Sequence, residues 1–183
     1  MSKKKVSSAL SPEYVLLGFL TQRPAHGYDL HEQVHQELGQ IWQISLSQTY
    51  NILKRLESKG YIVGVIQEQE KAPARRRFRL TTLGHRRFDE WLKVPSEPSA
   101  RAIRVEFLTR LYFTYITDPQ AARGLIEKQL AAVQAGMADL TVVLSELPTE
   151  QVFNQLGLDL RLRQLTSILD WLTECRAILG FEP

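Results

Sequence analysis

The stretch that decides the fold is Ser45 to Gly60, with the sequence SLSQTYNILKRLESKG. Ser45 is followed three residues later by Gln48, and this spacing is typical of a capping box at the start of a helix. Gly60 stands where such a helix would end, because glycine readily adopts the left-handed conformation that terminates helices. The sequence therefore predicts one helix between these two signals.

This predicted helix has two different faces. At 100° per residue, one face collects the mainly apolar residues Thr49, Ile52, Leu53 and Leu56. The other face carries hydroxyl, amide and cationic groups flanked by a tyrosine and an arginine: Ser47, Asn51, Lys54, Ser58, Tyr50 and Arg55. Such a face suits a DNA groove, where base edges offer donors and acceptors. An ordinary solvated helix has the same pattern, so the flanking sequence must decide.

Two further helices are predicted before this stretch. Ser11 and Pro12 supply a cap and a first-turn proline for an apolar helix from Tyr14 to about Thr21. A break at residues 23–27 separates it from a second helix, which runs from about Tyr28 to Leu38. Three short helices with tight breaks, the third of them polar-faced and cationic, are typical of a helix-turn-helix.

A cationic β hairpin is predicted directly after Gly60. Residues 61–67 are rich in β-branched side chains, residues 68–74 form a polar turn, and residues 75–81 alternate arginines with apolar side chains. Arg75, Arg76 and Arg77 suit contact with phosphates or insertion into a minor groove. The alternative is that the arginines protect an exposed sheet edge. Placed after a recognition-type helix, the hairpin is interpreted as a DNA-binding wing.

The second half of the sequence predicts long helices. A helix begins at Thr81, a proline-containing linker covers residues 95–99, and an aromatic-rich helix runs from Arg104 to Ile116. Asp118 and Pro119 start the next helix. Along it and the final helix, apolar residues recur at alternating steps of four and three, which predicts an antiparallel pair.

The predicted fold is mainly α with a small two-stranded β wing. Residues 1–93 form a winged helix-turn-helix domain, and residues 94–183 form an antiparallel helical dimerisation arm. Apolar side chains beyond the seam between the two long helices indicate a homodimer. The residues expected at its interface are Phe107, Leu111, Leu158, Leu162, Leu165, Leu169, Trp171 and Leu172.

Charge is unevenly distributed along the 183 residues. Residues 1–93 contain 15 Lys and Arg against 9 Asp and Glu, whereas residues 94–183 contain 8 against 11. A basic first half indicates contact with a polyanion. The single cysteine, Cys175, excludes an internal disulfide and favours a reducing compartment. Because no apolar run approaches the roughly 20 residues that span a bilayer, and no signal-peptide pattern is present, we expect a cytoplasmic protein without a membrane partner.

Four motifs occur in a specific order along the chain. Residues 17–28 are similar to LLGLL…P-x-HGY, residues 50–60 to Y-x-x-L-x-R-L-E-x-x-G, and residues 73–84 to a wing and its junction with the next helix. Together they resemble the PadR family of winged helix-turn-helix transcriptional regulators. Arg104 to Leu111 resembles the start of the C-terminal helical dimerisation domain in the larger, virulence-activator-like branch of that family.

The resemblance implies a homodimer on a pseudo-palindromic operator, with one recognition helix per half-site. Repression is the commoner role in families of this kind, and we expect no cofactor. The family's recognition-helix tyrosine corresponds to Tyr50, with Gln48 and Lys54 as neighbouring contacts, and Tyr28 is similar to a residue near the phosphate backbone. Helix, hairpin and resemblance together predict DNA contact by Tyr28, Ser47, Gln48, Tyr50, Asn51, Lys54, Arg55, Arg75, Arg76 and Arg77. Relatives bind flat aromatic effectors, so a small aromatic effector is a further expected partner.

Two departures from the family pattern concern specificity. Asn51 stands where the family commonly has proline, and Leu46 follows Ser45 where it often has Ser-Pro. The amide of Asn51 suits bidentate contact with adenine. The operator is therefore not expected to equal that of a relative.

Two alternatives to a DNA-binding regulator remain at this stage. His31 to His35 matches the zinc-protease pattern H-E-x-x-H. A zinc hydrolase also needs a third ligand and a cleft, for which a short helix offers little room, so we expect no metal and no enzyme. The other alternative is a winged-helix-shaped module that binds protein instead of specific DNA. Affinity for duplex DNA that falls steeply with salt would distinguish the two.

Overall fold

The computed structural model describes residues 11–69 and 72–181, with only the backbone described for residues 67–69 and 72–75. The described chain divides between Val94 and Pro95 into two compact units. None of the described helices is both long and apolar enough to cross a membrane.

The N-terminal unit is built around its first helix. Its elements are α1 (Glu13–Gln22), β1 (Ala25–His26), α2 (Gly27–Leu38), α3 (Leu46–Ser58), β2 (Ile62–Gln69), β3 (Ala72–Leu80) and α4 (Thr82–Lys93). Residues 15–20 of α1 are all buried, which confirms the prediction that this apolar helix lies in the core. Helices α2, α3 and α4 and strand β3 pack around it.

Helix α3 has the start, end and faces that the sequence predicts. Ser45 Oγ accepts a hydrogen bond from Gln48 N at 3.2 Å, and Ser45 N donates to Gln48 Oε1 at 2.8 Å, so the capping box is formed. Gly60 adopts the left-handed conformation, with φ of 73°. The predicted inner face is buried: Thr49, Ile52, Leu53 and Leu56. The outer face of α3 is therefore exposed to solvent.

A third strand joins the predicted two-stranded wing in the described part of the chain. Strand β3 lies between β1 and β2 and is antiparallel to both. Strand β1 has only two residues, which pair with Phe78 and Arg77. Two residues carry no alternating pattern, and only the open edge of β3 makes them a strand. The wing is also longer than predicted, because pairing continues to Gln69 and Ala72 and includes Pro73 in β3.

The C-terminal unit consists of helices in its described residues. They are α5 (Ala100–Ala102), a π-helical turn (Ile103–Phe107), α6 (Leu108–Thr117), α7 (Pro119–Glu146) and α8 (Val152–Ile178). The Asp118 carboxylate accepts hydrogen bonds from two backbone amides of α7, as the cap prediction requires. Helix α8 returns along α7 after a short connection, so the two form the predicted hairpin.

The core of this unit lies at the end of the hairpin far from the connecting turn. Its buried members are Ile103, Phe107, Leu111, Ala122, Leu125, Ile126, Val133, Leu165, Leu172, Cys175 and Phe181. After Val133 on α7 and before Leu165 on α8, no described residue is fully buried. The half of the hairpin near the turn consequently leaves apolar side chains in contact with solvent.

Several residues predicted at a dimer interface lie inside a single chain. Phe107, Leu111, Leu165 and Leu172 are buried in the core just described, because α6 and α8 both pack against α7. The others are half-buried: Leu158, Leu162, Leu169 and Trp171. The apolar surface that is free lies elsewhere, chiefly on the opposite side of α8, at Val152, Phe153, Leu156 and Leu160.

Candidate nucleic-acid interface

A polar surface covers the outward face of α3. Ser47, Asn51 and Lys54 are exposed and follow one another at intervals of about one helical turn. Among the described residues these three side chains form no hydrogen bond or ion pair, so their donors and acceptors are open to a ligand. Gln48 is partly engaged, because its Oε1 completes the capping box with Ser45. The surface has the mixture of donors and acceptors that readout of base edges requires.

Tyr50 extends this surface towards the start of α2. Tyr50 is 47% exposed, and its ring lies against Gly27. A Cβ atom at Gly27 would be 2.6 Å from Tyr50 Cε1 and 2.9 Å from Cζ, so only glycine leaves room for the ring. Tyr28, the next residue, is 56% exposed. The fold thus brings the start of α2, at Gly27, next to the tyrosine of α3.

Two contacts attach the wing to the segment between α1 and α2. His26 Nδ1 lies 3.1 Å from the backbone oxygen of Arg76, an arrangement in which the ring nitrogen donates. Arg77 donates from Nε and Nη2 to the backbone oxygen of Pro24, both at 3.2 Å. Arg77 therefore uses part of its guanidinium group to hold the hairpin, and the wing is fixed beside the start of α2.

Arg76 lies on the opposite face of β3 from Arg77, since side chains alternate along a strand. Its Nη2 donates to Glu57 Oε1 of α3 at 2.7 Å, and the same oxygen accepts from Gly64 N at 2.9 Å. Gly64 is needed here because a Cβ atom would collide with Arg76 Nε. The arginines are thus divided between two faces of the hairpin, and the side chain of Arg75 lies outside the described residues.

Arg55 has a partner inside the protein. Glu13, which is 5% exposed, accepts hydrogen bonds from Arg55 Nε at 2.5 Å and from Lys59 Nζ at 3.3 Å. Burial by itself raises the pKa of Glu13, but the Arg55 hydrogen bond and the Lys59 charge outweigh it and lower the pKa below its ordinary value. The ionised carboxylate therefore holds Arg55 against α1, while about half of the arginine side chain stays exposed.

The two histidines of the H-E-x-x-H match have different surroundings. His31 Nδ1 lies 3.4 Å from Thr49 Oγ1, so this side chain contacts α3 from α2. In the described part of the chain no group of three or more His, Cys, Asp and Glu residues is placed to hold a metal ion. His31 is thus a packing residue between α2 and α3, whereas His35 is exposed.

The residues that position this surface were not predicted as functional. Glu13, His26, Gly27 and Glu57 brace the arginines, the wing and Tyr50. Glu13 and Arg55 are 42 residues apart, and Glu57 and Arg76 are 19 apart, so no local pattern connects them. The available signal is the motif pattern, since His26 and Gly27 belong to the match with P-x-HGY and Glu57 to the match with Y-x-x-L-x-R-L-E-x-x-G.

Comparison with known proteins gives consistent matches to both units. The transcriptional regulator PadR-like family matches residues 16–90, and the virulence activator alpha C-terminal family matches residues 103–180. The chain is 31% identical over 128 residues to the negative transcriptional regulator PadR of Bacillus subtilis strain 168, with 70% of each chain covered.

Solved structures of similar proteins include two that extend over nearly the whole chain. A crystal structure of Bacillus subtilis PadR in complex with operator DNA is 27% identical, covering 91% of this chain and 98% of that chain with a TM-score of 0.46. A PadR-like transcriptional regulator from Bacillus cereus is 22% identical, covering 96% and 99% with a TM-score of 0.43. Family and relative are transcriptional regulators, not enzymes. On the 31% identity to the curated regulator, and with both family matches in agreement, the chain belongs to the PadR family of transcriptional regulators.

Proposed function

We propose that this regulator is a cytoplasmic homodimeric repressor that places one α3 helix in each half of a pseudo-palindromic operator. The observation that carries the proposal is the outward face of α3, where the side chains of Ser47, Asn51 and Lys54 are exposed and unengaged among the described residues. Repression is inferred from the Bacillus subtilis relative, which is a negative regulator. Two recognition helices on one two-fold axis explain why such an operator is itself nearly symmetric.

The contacts divide by chemistry into base readers and phosphate binders. Asn51 and Tyr50 are assigned to base edges, because an amide and a phenol donate and accept in fixed directions. Lys54 is assigned to phosphate, which a flexible ammonium group binds through its charge. The flanking DNA backbone is assigned to the remaining candidates: Tyr28, Ser47, Gln48, Arg55, Arg75, Arg76 and Arg77. For Arg55, Arg76 and Arg77 this role uses the guanidinium donors left free by their partners within the chain.

Selection from a randomised pool of duplex DNA tests the proposal. We expect recovery of a two-fold-related site, and affinity that falls steeply with salt as phosphate contacts release counterions. Lys54→Ala should weaken binding to cognate and random DNA equally, and it should reduce the slope of log affinity against log salt concentration by about one. Asn51→Ala should lower the affinity for cognate DNA roughly 5- to 150-fold and leave the affinity for random DNA unchanged. Recovery of no common sequence, with weak binding that ignores salt, would favour the protein-interaction module instead.

The dimer contact is proposed on the outer side of α8. Val152, Phe153, Leu156 and Leu160 lie on the side opposite the seam with α7, and Phe153 is 88% exposed. Their exposed parts amount to roughly 450 Å² on one copy, close to the apolar share of the about 800 Å² that each partner buries in a stable interface. A second copy with the same stripe supplies a matching apolar face about a two-fold axis.

Sedimentation velocity tests this contact. Phe153→Asp and Leu156→Asp should each convert the dimer to a monomer at micromolar concentration, since they bury an unpaired charge in the interface. Leu83→Asp is the matched control, because Leu83 is 50% exposed but lies at the start of α4 in the other unit. Dimers that persist in both α8 variants would show that the second copy binds elsewhere.

A small aromatic effector is proposed for a cavity of about 260 Å³ in the C-terminal unit. The cavity is lined by Ala100, Ile103, Arg104, Leu108, Ile168 and Trp171. The indole ring offers a face for stacking, and Arg104 is the cation of the lining, so a single ring with one carboxylate is favoured. Titration with benzoate-type acids should quench the fluorescence of Trp171, and Trp171→Phe should abolish the response. Equal quenching by neutral esters would refute the assignment of Arg104.

A further inference from the structure

The segment that follows the DNA-binding unit is held tightly on the C-terminal unit. Ser96, three residues after the end of α4, is 2% exposed. Its backbone amide donates to Gln129 Oε1 at 2.8 Å, and Gln129 Nε2 donates to its backbone oxygen at 3.0 Å. The Gln129 side chain, fully buried on α7, thus pairs with both backbone groups of Ser96, as a neighbouring β-strand would.

A buried arginine adds a third contact to the same residue. Arg110 Nη1 donates to Ser96 Oγ, and the same nitrogen lies 3.5 Å from Glu106 Oε2. Burial raises the pKa of Glu106, and the charge of Glu97 adds to this effect, while Arg110 opposes it. Burying charged groups carries a desolvation cost that apolar packing avoids. A linker that served only as a flexible tether would not need this network.

An independent steric contact lies seven residues along α7. Pro98 packs against Gly136, where a Cβ atom would be 2.6 Å from Pro98 Cγ and 2.9 Å from Pro98 Cβ. Ser99 then caps α5 by accepting a hydrogen bond from Ala102 N at 3.3 Å. Hydrogen bonds at Gln129 and close packing at Gly136 therefore hold the segment along two turns of α7.

We propose that Gln129, Arg110 and Gly136 are positioning residues that set the spacing of half-sites that the dimer accepts. The inference rests on the proposed function of binding two half-sites. Because the segment is fixed on α7 at Ser96, each DNA-binding unit is joined to its C-terminal unit at a defined point, two residues after Val94. Each base pair added between half-sites rotates them by about 35° relative to each other, so a fixed segment should accept one spacing and reject its neighbours.

The experiment measures the affinity of the full chain for operators with zero to five added base pairs. Wild-type protein should lose at least about tenfold in affinity when two base pairs are added. Gly136→Ala pushes Pro98 away while it raises the intrinsic helix propensity of α7. It should reduce the spacing penalty to less than about threefold, with unchanged affinity for a single half-site and an unchanged dimer mass.

Two further variants make the result decisive. Gly124→Ala is the matched control, because it is the same substitution on α7 at a place with no heavy atom within 4 Å of the new Cβ. It should keep the wild-type spacing profile, that is, the dependence of affinity on the number of added base pairs. Gln129→Met removes both hydrogen bonds to Ser96 at similar side-chain size and should flatten the profile as Gly136→Ala does.

The possible outcomes separate the two proposals. The positioning role is overturned if folded, dimeric Gly136→Ala and Gln129→Met variants keep the wild-type profile. It is also overturned if Gly124→Ala flattens the profile equally, or if the wild-type protein binds paired half-sites without preference for spacing. A wild-type protein that binds no paired half-sites would instead overturn the proposed function, and the positioning role would fall with it.

Discussion

The contact between Gly27 and Tyr50 allows the tyrosine to be displaced without altering it chemically. Gly27→Ala introduces a Cβ atom 2.6 Å from Tyr50 Cε1 and 3.2 Å from Leu53 Cδ1. Carbon atoms pack best at about 3.5–4.0 Å, so the ring edge must move by about 1 Å. Because Tyr50 is about half exposed, its ring has room to move towards solvent. Buried Leu53 needs to yield only a few tenths of an ångström.

The effect on stability should be small and the effect on DNA binding large. Replacing glycine by alanine in a compatible helical position stabilises by about 0.4–1 kcal/mol through the unfolded chain, which offsets part of the lost packing of the ring. A well-placed base contact is worth about 1–3 kcal/mol. If Tyr50 reads a base, its displacement should weaken binding to one half-site by roughly 5- to 150-fold, at about 1.4 kcal/mol per factor of ten.

A double-mutant cycle on a duplex with one half-site is the assay. Gly27→Ala should lower the DNA affinity of the otherwise wild-type protein by the factor given above. In the Tyr50→Ala background it should change the affinity by less than about twofold, because the ring that it displaces is absent there. Gly124→Ala, at a helical glycine on α7 with nothing within 4 Å of the new Cβ, is the control and should leave affinity unchanged. Equal losses in both backgrounds, or no loss in the wild type, would refute the reasoning.

Three further predictions concern stability and reactivity. Because the pKa of Glu13 is lowered in the folded state, the ionised carboxylate stabilises the fold fully above the ordinary glutamate range, and this stabilisation is lost as the pH falls through the folded pKa. In urea titrations, Glu13→Gln should therefore reduce the pH dependence of the free energy of unfolding by about 1 kcal/mol. The value is modest because Arg55 is half exposed. Burial raises the pKa of Cys175 to about 11, so iodoacetamide at pH 8 should react about 100-fold more slowly with folded than with unfolded protein, and equal rates would contradict this. Gly84→Ala places a Cβ atom against the backbone oxygen of Tyr61, which cannot swing aside, and should cost about 1–3 kcal/mol or more on chemical denaturation, whereas an unchanged midpoint would exclude the clash.

Most helix boundaries follow from short-range chemistry. The capping box of α3 and the cap-plus-proline start of α7 each involve residues within three positions of one another, so the sequence alone predicts them. The buried face of α3 is equally predictable, because its apolar period matches the turn of the helix. Strand β1 is not predictable in this way, since its two residues become a strand only where β3 offers an open edge.

For the candidate site, sequence and tertiary structure contributed different information. The sequence by itself determined that a polar, cationic helix is followed by an arginine-rich hairpin, and this was sufficient to predict a DNA-binding face. Only the tertiary structure decided which cations have partners within the chain: Glu13 holds Arg55, Glu57 holds Arg76, and the backbone oxygen of Pro24 holds Arg77. It also decided that the side chains of Asn51 and Lys54 remain unengaged among the described residues. The same holds for the dimer arm, where heptad spacing identified apolar residues but not which of them the chain covers itself. The physical reason is that capping and periodicity act between neighbours in sequence, whereas ion pairing and burial depend on groups 19 to 53 residues apart that only folding brings into contact.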